Sequence, residues 1–230
     1  PDGTIGSCTA CHTRHTASVA IARLPTTCGQ CHMGPDHSQL EIFTESKHGL
    51  MFEAQRELLN LEADPRSLTT RDMFIPTCAT CHMSGLNGLN VTHDTTERVS
   101  YWLFAEISEQ RPHYVQAQET MKELCSECHV RSKIDEVYKE AEATVQSTNA
   151  KVKEAKEIVE TLRQEGLLGN KPFATPLDFK YFDLWHYYGR TIKHGAFMGG
   201  QDFAQWHGAY PLFQHAVEIR HMAEELRKSH

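Results

Sequence analysis

The sequence predicts a mainly α-helical protein with a turn-rich N-terminal part and long helices toward the C-terminus. Three observations favour this fold class. An apolar heptad pattern follows the last cysteines, and a strong helix-start signal lies further along the chain. No segment of useful length alternates apolar and polar residues as a β-strand does. A chain of 230 residues with 40% hydrophobic content suits one or two globular domains. We expect two parts, residues 1–98 and 99–230.

Composition excludes several classes of protein. The longest apolar runs fall far short of the roughly 18 to 20 residues that cross a bilayer, so no membrane span is expected. Lys and Arg number 23 against 30 Asp and Glu, and the net charge of -7 argues against a nucleic-acid partner bound through its phosphates. The informative counts are 8 cysteines and 15 histidines.

All eight cysteines belong to four copies of one motif, Cys-x-x-Cys-His. Three copies lie among the Gly-, Pro-, Thr- and Asn-rich turns of residues 1–98, and one follows in the second part. Two thiols three positions apart can both add to the vinyl groups of one haem, while the adjacent histidine binds the iron. The sequence therefore predicts four covalent c-type haems, a multihaem cytochrome c. The cysteines are Cys8, Cys11, Cys28, Cys31, Cys78, Cys81, Cys125 and Cys128, and the proximal ligands are His12, His32, His82 and His129.

Other interpretations of the motif explain less. A disulfide framework would not place a histidine after every second cysteine, and zinc usually binds two such motifs together, whereas these are well separated. Because haem c is attached outside the cytoplasmic membrane, we expect an exported protein that is periplasmic, extracytoplasmic or extracellular. No signal peptide is visible at Pro1, so it has been removed or the sequence begins inside a longer chain.

Eleven further histidines could supply distal ligands, since 15 less the four proximal ones leaves 11. Four low-spin haems would take four of them, and surface exposure or a core hydrogen bond is the alternative for any single one. Two of the candidates follow a tryptophan in the aromatic C-terminal segment. We favour His15, His48, His93 and His186 as distal ligands, with His37 and His207 as alternates.

Local context supports three of these choices. His15 follows the first motif too closely to bind the iron of the same haem, so we expect it to reach a neighbouring one. Gly49 permits a close backbone approach beside His48. Asp94 could orient His93 after a Gly/Asn-rich loop.

The second part contains the predicted helices. Residues 97–108 and 115–124 are expected to be helical with a break at Pro112, and 51–61 is a short helical stretch in the first part. After the fourth motif an apolar heptad seam runs to a helix end at Gly166. We expect this seam to pair with the chain's own last helices rather than with a second subunit. Its members are Ile134, Tyr138, Ala141, Val145, Thr148, Val152, Ala155, Val159 and Leu162.

Two more helices are expected after the seam. Thr175 has the character of an N-cap and Pro176 that of a first helical residue, and the helix breaks at Gly199. An amphipathic stretch then runs over 202–228, with a kink or a helix start at Pro211.

Several segments resemble the hydroxylamine oxidoreductase family of multihaem cytochromes. They are residues 6–15, 33–37, 45–49, 185–186 and 205–208. That family usually carries eight haems, of which the fourth is catalytic and the others relay electrons. This chain resembles the C-terminal half with the last four haems, so the motif of the catalytic haem would lie before it.

The resemblance also implies candidate catalytic residues. The Asp-His pair that moves protons beside the family's substrate matches Asp36 and His37. Without the catalytic haem this pair is vestigial or serves a haem of another chain. Oxidative members carry a tyrosine from a neighbouring subunit, cross-linked to the catalytic haem. Tyr210 and Phe203 lie in the corresponding segment, and phenylalanine at that position would favour the reductive or electron-carrying members as the model.

Electron transfer is the function that the motifs predict directly. Four haems in 230 residues must form much of the core, and bis-His ligation closes both faces of each iron. We therefore expect a relay that acts alone, in a polymer, or as the electron-handling half of a larger enzyme. The alternative is an oxidoreductase for hydroxylamine, nitrite or a related nitrogen compound, which requires an open iron beside Asp36 and His37.

Expected partners are redox proteins and other copies of the chain. Spare histidines could ligate a haem of a neighbouring subunit, and porphyrin edges at the surface would be shielded best by a neighbour. Mutual contacts would give a closed oligomer such as the family's trimer, whereas head-to-tail contacts would give a filament.

Overall fold

The computed structural model describes residues 7–229. The N-terminal part consists of short helices joined by long turns. A 3-10 turn, Cys8–Ala10, precedes them, and two further 3-10 turns lie at Arg56–Leu58 and Leu86–Gly88. The helices are α1 (Val19–Arg23), α2 (Pro25–Gly29), α3 (Gln39–Glu45), α4 (Lys47–Gln55) and α5 (Cys78–His82).

The C-terminal part consists of longer helices, so the predicted mainly α fold is confirmed. Within residues 7–229 the β-pairing amounts to one isolated bridge between Tyr101 and Gln110. Two segments have π-helical hydrogen bonding, Leu184–Gly189 and Gln205–Ala209. The helices are α6 (Tyr114–Ser126), α7 (Arg131–Gln164), α8 (Pro176–Asp183), α9 (Arg190–Phe197), α10 (Gln201–Ala204) and α11 (Tyr210–Ser229).

The helix predicted at 97–108 is wrong. This segment is an irregular loop, whose Trp102 N–H donates to the carbonyl of Glu109. The physical reason is Arg98, which is buried and donates to carbonyls of the third motif and the turn that follows it. These contacts with distant chain outweigh a weak local helix preference. The helix predicted at 115–124 is confirmed as α6.

The heptad seam is confirmed as the buried face of α7. This helix packs against α6, α8, α9 and α11 of the same chain, which covers the seam without a second subunit. Tyr138 is half-buried. The other eight members are buried, namely Ile134, Ala141, Val145, Thr148, Val152, Ala155, Val159 and Leu162.

The predicted helix ends are also confirmed. Gly166 adopts a φ of +74°, and the amide of Leu167 donates to the carbonyl of Leu162, which closes α7. Thr175 caps α8 in a reciprocal capping box with Asp178. Asp178 is buried and also accepts a 2.9 Å bond from Arg163, so the start of α8 is fixed against the end of α7.

The corner between α3 and α4 requires a glycine. A Cβ atom on Gly49 would lie 1.9 Å from the carbonyl oxygen of Phe43, so any larger residue would displace the backbone. The Ser46 hydroxyl oxygen caps α4 by accepting a hydrogen bond from the backbone amide of Gly49. The corner therefore fixes the position of His48, as the sequence suggested.

Two apolar clusters hold the fold together. One is formed by α7, α8, α9 and α11, and the other by α3, α4 and the segment from Leu59 to Leu86, joined by Leu124 of α6. The division at residue 98 stays a prediction. No helix among residues 7–229 is long and apolar enough to cross a membrane.

Candidate haem-binding and electron-transfer site

Each Cys-x-x-Cys-His motif folds as a helical turn. The amide of His12 donates to the carbonyl of Cys8 at 2.8 Å, and the second and fourth motifs repeat this bond at 3.0 and 2.9 Å. The third motif is the helix α5 itself. Residues three apart lie on one face of a helix, so each turn presents its two thiols to the same side. None of the eight cysteines forms a disulfide bond with another, so all of them remain for covalent attachment of haem.

The first three motifs are neighbours in space. Burial raises the pKa of the Cys11 thiol, and Cys28 and Cys31 of the second motif raise it further. Cys78 of the third motif lies beside Cys28, and this proximity lowers the pKa of Cys28 to about 7. Helices α1 and α2 both pack against α5. The first motif therefore adjoins the second, and the second adjoins the third.

The third and fourth motifs are neighbours as well. Burial raises the pKa of Cys81 to about 12, and Cys125 of the fourth motif contributes to the shift. Helix α5 packs against α6, whose end carries this last motif. Burial, Arg98 and His32 lower the pKa of His82 to about 4, which keeps it in the neutral form that binds metals. Each motif is thus a neighbour of the next one in the sequence, and we call this succession the row of motifs.

His48 faces the proximal histidine of the fourth motif. The ring centroids of His48 and His129 lie 6.0 Å apart. Two imidazole nitrogens that bind one metal from opposite sides lie about 4 Å apart, which places their ring centroids about 6 Å apart. Burial and His129 both lower the pKa of His48, so its imidazole is neutral. His48 and His129 would together hold the iron of one haem.

His194 is a second candidate ligand, which was not among the favoured distal histidines. Its imidazole lies 3.3 Å from the amide nitrogen of Gln39, and His32 is near enough to contribute to the lowering of its pKa. Burial lowers the pKa of His194 well below its ordinary value, followed by the charge of Lys193. A repeated tripeptide could have identified it, because Lys-His-Gly occurs at both 47–49 and 193–195. A Cβ on Gly195 would come 2.6 Å from the Cβ of Ala204, so this glycine is again a site of close packing.

The structure brings together three of the remaining candidates. Asp36 accepts hydrogen bonds from His37 at 2.8 Å and from His186 at 3.2 Å. His186 stacks on Phe182, with centroids 4.3 Å apart. Burial opposes ionisation of Asp36, but its bonds to the two imidazoles prevail and lower its pKa. The Asp36 carboxylate thus joins two imidazoles that are distant in sequence.

A family model matches residues 4–176, which is most of the chain. Its description is "Seven times multi-haem cytochrome CxxCH". The chain belongs to this family of multihaem cytochromes. The cytochrome therefore binds c-type haem covalently and carries out electron transfer. Multihaem c-type cytochromes are typically exported.

Solved structures share the fold of the cytochrome. A hypothetical multiheme protein matches with a TM-score of 0.90 and 23% identity, over 100% of this chain and 60% of its own. A chain of the Kuenenia stuttgartiensis reducing HAO-like protein complex matches with a TM-score of 0.86 and 22% identity, over 96% and 59%. The cytochrome thus spans about three fifths of the length of these structures.

One curated protein is similar over a shorter segment. It is a probable nitrite reductase-hydroxylamine oxidoreductase fusion protein of Kuenenia stuttgartiensis, 41% identical over 71 residues. The matched segment is 30% of the cytochrome and 8% of the fusion protein.

The other predicted ligands lie apart from these clusters. His15 and His93 are exposed on loops, and His207 is exposed beside Phe203, with ring centroids 4.4 Å apart. Both Trp-His pairs of the cytochrome, at 185–186 and 206–207, lie in the π-helical segments, and such segments frequently mark functional sites. The roles of His15, His93, His186 and His207 stay predictions.

Proposed function

We propose that the cytochrome relays electrons through four haems c that follow one another in the order of their motifs. The single observation that supports this proposal is the row of motifs, in which the cysteines of each motif neighbour those of the next. When bound, the haems supply irons that change oxidation state. The polypeptide attaches them through its eight cysteines, and it binds their irons through His12, His32, His82 and His129.

Neutral imidazoles close the second face of the irons in this proposal. His48 serves the fourth haem, because it lies opposite His129. His194 serves the second, because it lies beside Gln39 and near enough to His32 for that imidazole to contribute to the lowering of its pKa. For the other two haems the candidates stay His15, His93 and His186, followed by His37 and His207. Irons with two imidazole ligands exchange electrons and leave no position for a substrate.

The relay is proposed to work within a larger assembly outside the cytoplasm, in the periplasm or at the cell exterior. Four exposed apolar side chains lie along one face of the last helical run, at spacings of four, three and four residues. Such a stripe suits another copy of the chain or a redox partner protein. Its members are Trp206, Tyr210, Phe213 and Val217.

The optical and electron paramagnetic resonance spectra of the haem-loaded protein test the relay. We expect a uniformly low-spin set of haems, because each iron has two imidazole ligands. A substantial high-spin fraction in the intact protein would contradict the relay as proposed, since it would show an iron with an open face.

An oxidoreductase for hydroxylamine, nitrite or a related nitrogen compound is the second candidate. The observation that favours it is the Asp36 carboxylate, which holds His37 and His186 in one hydrogen-bonded group. Such a group can take up and return protons beside a substrate. This function needs an open iron next to Asp36, supplied by a longer chain or by a neighbouring one. A substantial high-spin haem fraction in the intact protein is the spectroscopic signature of this second function.

A further inference from the structure

Helix α9 carries two buried cations on one face. Arg190 is 2% exposed and Lys193 is 4% exposed, and their spacing of three residues directs them to the same side. The ammonium group of Lys193 donates to the carbonyl of Trp102 at 2.9 Å. The guanidinium of Arg190 lies 5.2 Å from the centroid of Phe104 and 5.3 Å from that of Trp185. The 102–104 loop therefore contacts both cations.

The described residues supply too little negative charge for these cations. Asp36 is the carboxylate that acts on Arg190, and its Oδ2 atom is already shared between His37 and His186. Neither Arg190 nor Lys193 forms an ion pair with a carboxylate of residues 7–229. The imidazoles of the same region, including His194, add no negative charge. One partly exposed carboxylate thus acts on Arg190 and none is shown to act on Lys193, and an uncompensated buried charge is costly.

One hydrogen-bond donor in the same place is also unused. Nε of Arg190 is buried and has no partner within the described part of the chain. One terminal nitrogen of Arg190 lies 3.2 Å from Nε2 of His186. Arg98 is similarly buried and its Nε also lacks a partner, but its two terminal nitrogens donate to three backbone carbonyls, which those of Arg190 do not. Arg190 therefore differs from a structural arginine of this fold.

We propose that Arg190 and Lys193 bind one anion with carboxylate-like oxygens. The planar guanidinium matches the geometry of such a group, and the aromatic rings of Phe104 and Trp185 shield it from water. Two sources carry this chemistry: the propionate of a bound haem, or a free small oxyanion such as nitrite or formate. The shortage of negative charge around Arg190 and Lys193 is a property of the polypeptide itself. The proposed anion site therefore does not depend on the proposed electron relay.

The test uses the haem-loaded protein with Arg190→Gln and Lys193→Gln variants. Lys171→Gln is the matched control, because it removes the same charge from an exposed position. Calorimetric titration with sodium nitrite and with sodium formate measures binding of a free anion. Potentiometric titration of the haems, followed by absorbance, measures the effect on a propionate.

Either of two results supports the site. If the anion is free, nitrite or formate binds the wild type, and the two variants bind at least about tenfold more weakly. If it is a propionate, one haem potential falls in both variants and not in Lys171→Gln, because loss of a nearby positive charge favours the oxidised iron. Lys193→Arg, which keeps the charge, should resemble the wild type in either case.

The proposal is overturned if the wild type binds neither anion and neither variant shifts a haem potential. It is equally overturned if Lys171→Gln reproduces the effects of the two variants. If Arg190→Gln fails to fold, Lys193→Gln and Lys193→Arg decide the question alone. A protein with four low-spin haems and no such effects would refute the anion site and leave the relay intact.

Discussion

Replacing both cysteines of the third motif, Cys78 and Cys81, with alanine is expected to remove one of four haems and to interrupt the relay in its middle. The third motif lies between the second and the fourth, because Cys78 neighbours Cys28 while Cys81 neighbours Cys125. Loss of its haem leaves two haems on one side of the gap and one on the other. The pyridine haemochrome absorbance should fall by about a quarter, as expected when one of four motifs is disabled.

The matched control removes a haem from the end of the row. Replacing Cys8 and Cys11 with alanine should cause the same loss of absorbance but leave three adjacent haems. The time course of haem reduction by a small electron donor can be followed after rapid mixing. The three haems of the control should be reduced together as one connected set, whereas those of the third-motif variant should be reduced in two unequal phases. Far-ultraviolet circular dichroism checks that both variants keep their helices. Equal kinetics in the two variants, or full haem content in either, would contradict the row.

Replacing His48 with methionine is expected to raise the reduction potential of one haem. A thioether stabilises the reduced iron more than an imidazole does, and axial ligands control haem potentials over roughly 0.8 V. We expect a shift on the order of 0.1 V for a single haem. The His48→Ala variant should instead turn one haem high-spin, because an iron loses its second ligand. Potentiometry and electron paramagnetic resonance measure the two effects.

The assignment of His48 to the fourth haem has its own control. If Cys125 and Cys128 are first replaced by alanine, the fourth haem is absent, and a further His48→Met change should leave the remaining potentials unaltered. His221→Met is the matched surface variant, because His221 is exposed on α11, where it pairs with Glu225 at 3.2 Å. An unchanged spectrum and unchanged potentials in His48→Met would remove His48 from the ligand set.

Features that depend on local sequence were predicted well. The seam of α7, the cap at Thr175 and the helix end at Gly166 each depend on residues a few positions apart, and the structure has all three. The helix predicted at 97–108 failed for the opposite reason. Arg98 donates hydrogen bonds to backbone carbonyls that lie between 8 and 17 residues away in the sequence. Helix propensity depends on local sequence and does not include such contacts.

The residues of the candidate site also fall into two groups, those that local sequence identifies and those that it does not. The cysteines and proximal histidines could be identified because the motif is contiguous in the sequence. A distal ligand can come from any part of the chain, as His48 and His129 show by meeting across 81 positions of sequence, from 48 to 129. His194 was missed for this reason, although its Lys-His-Gly context repeats that of His48. Asp36 and His186 likewise meet across 150 positions.

An anaerobic coulometric titration of the haem-loaded protein, followed by haem absorbance, tests the central claim most directly. The claim is that four covalent haems take up and pass on electrons as one connected set. We predict that each chain accepts four electrons, one for each Cys-x-x-Cys-His motif, and that all of them appear as reduced haem. Uptake of fewer than four electrons per chain, or a haem that stays oxidised while the others are fully reduced, would contradict it.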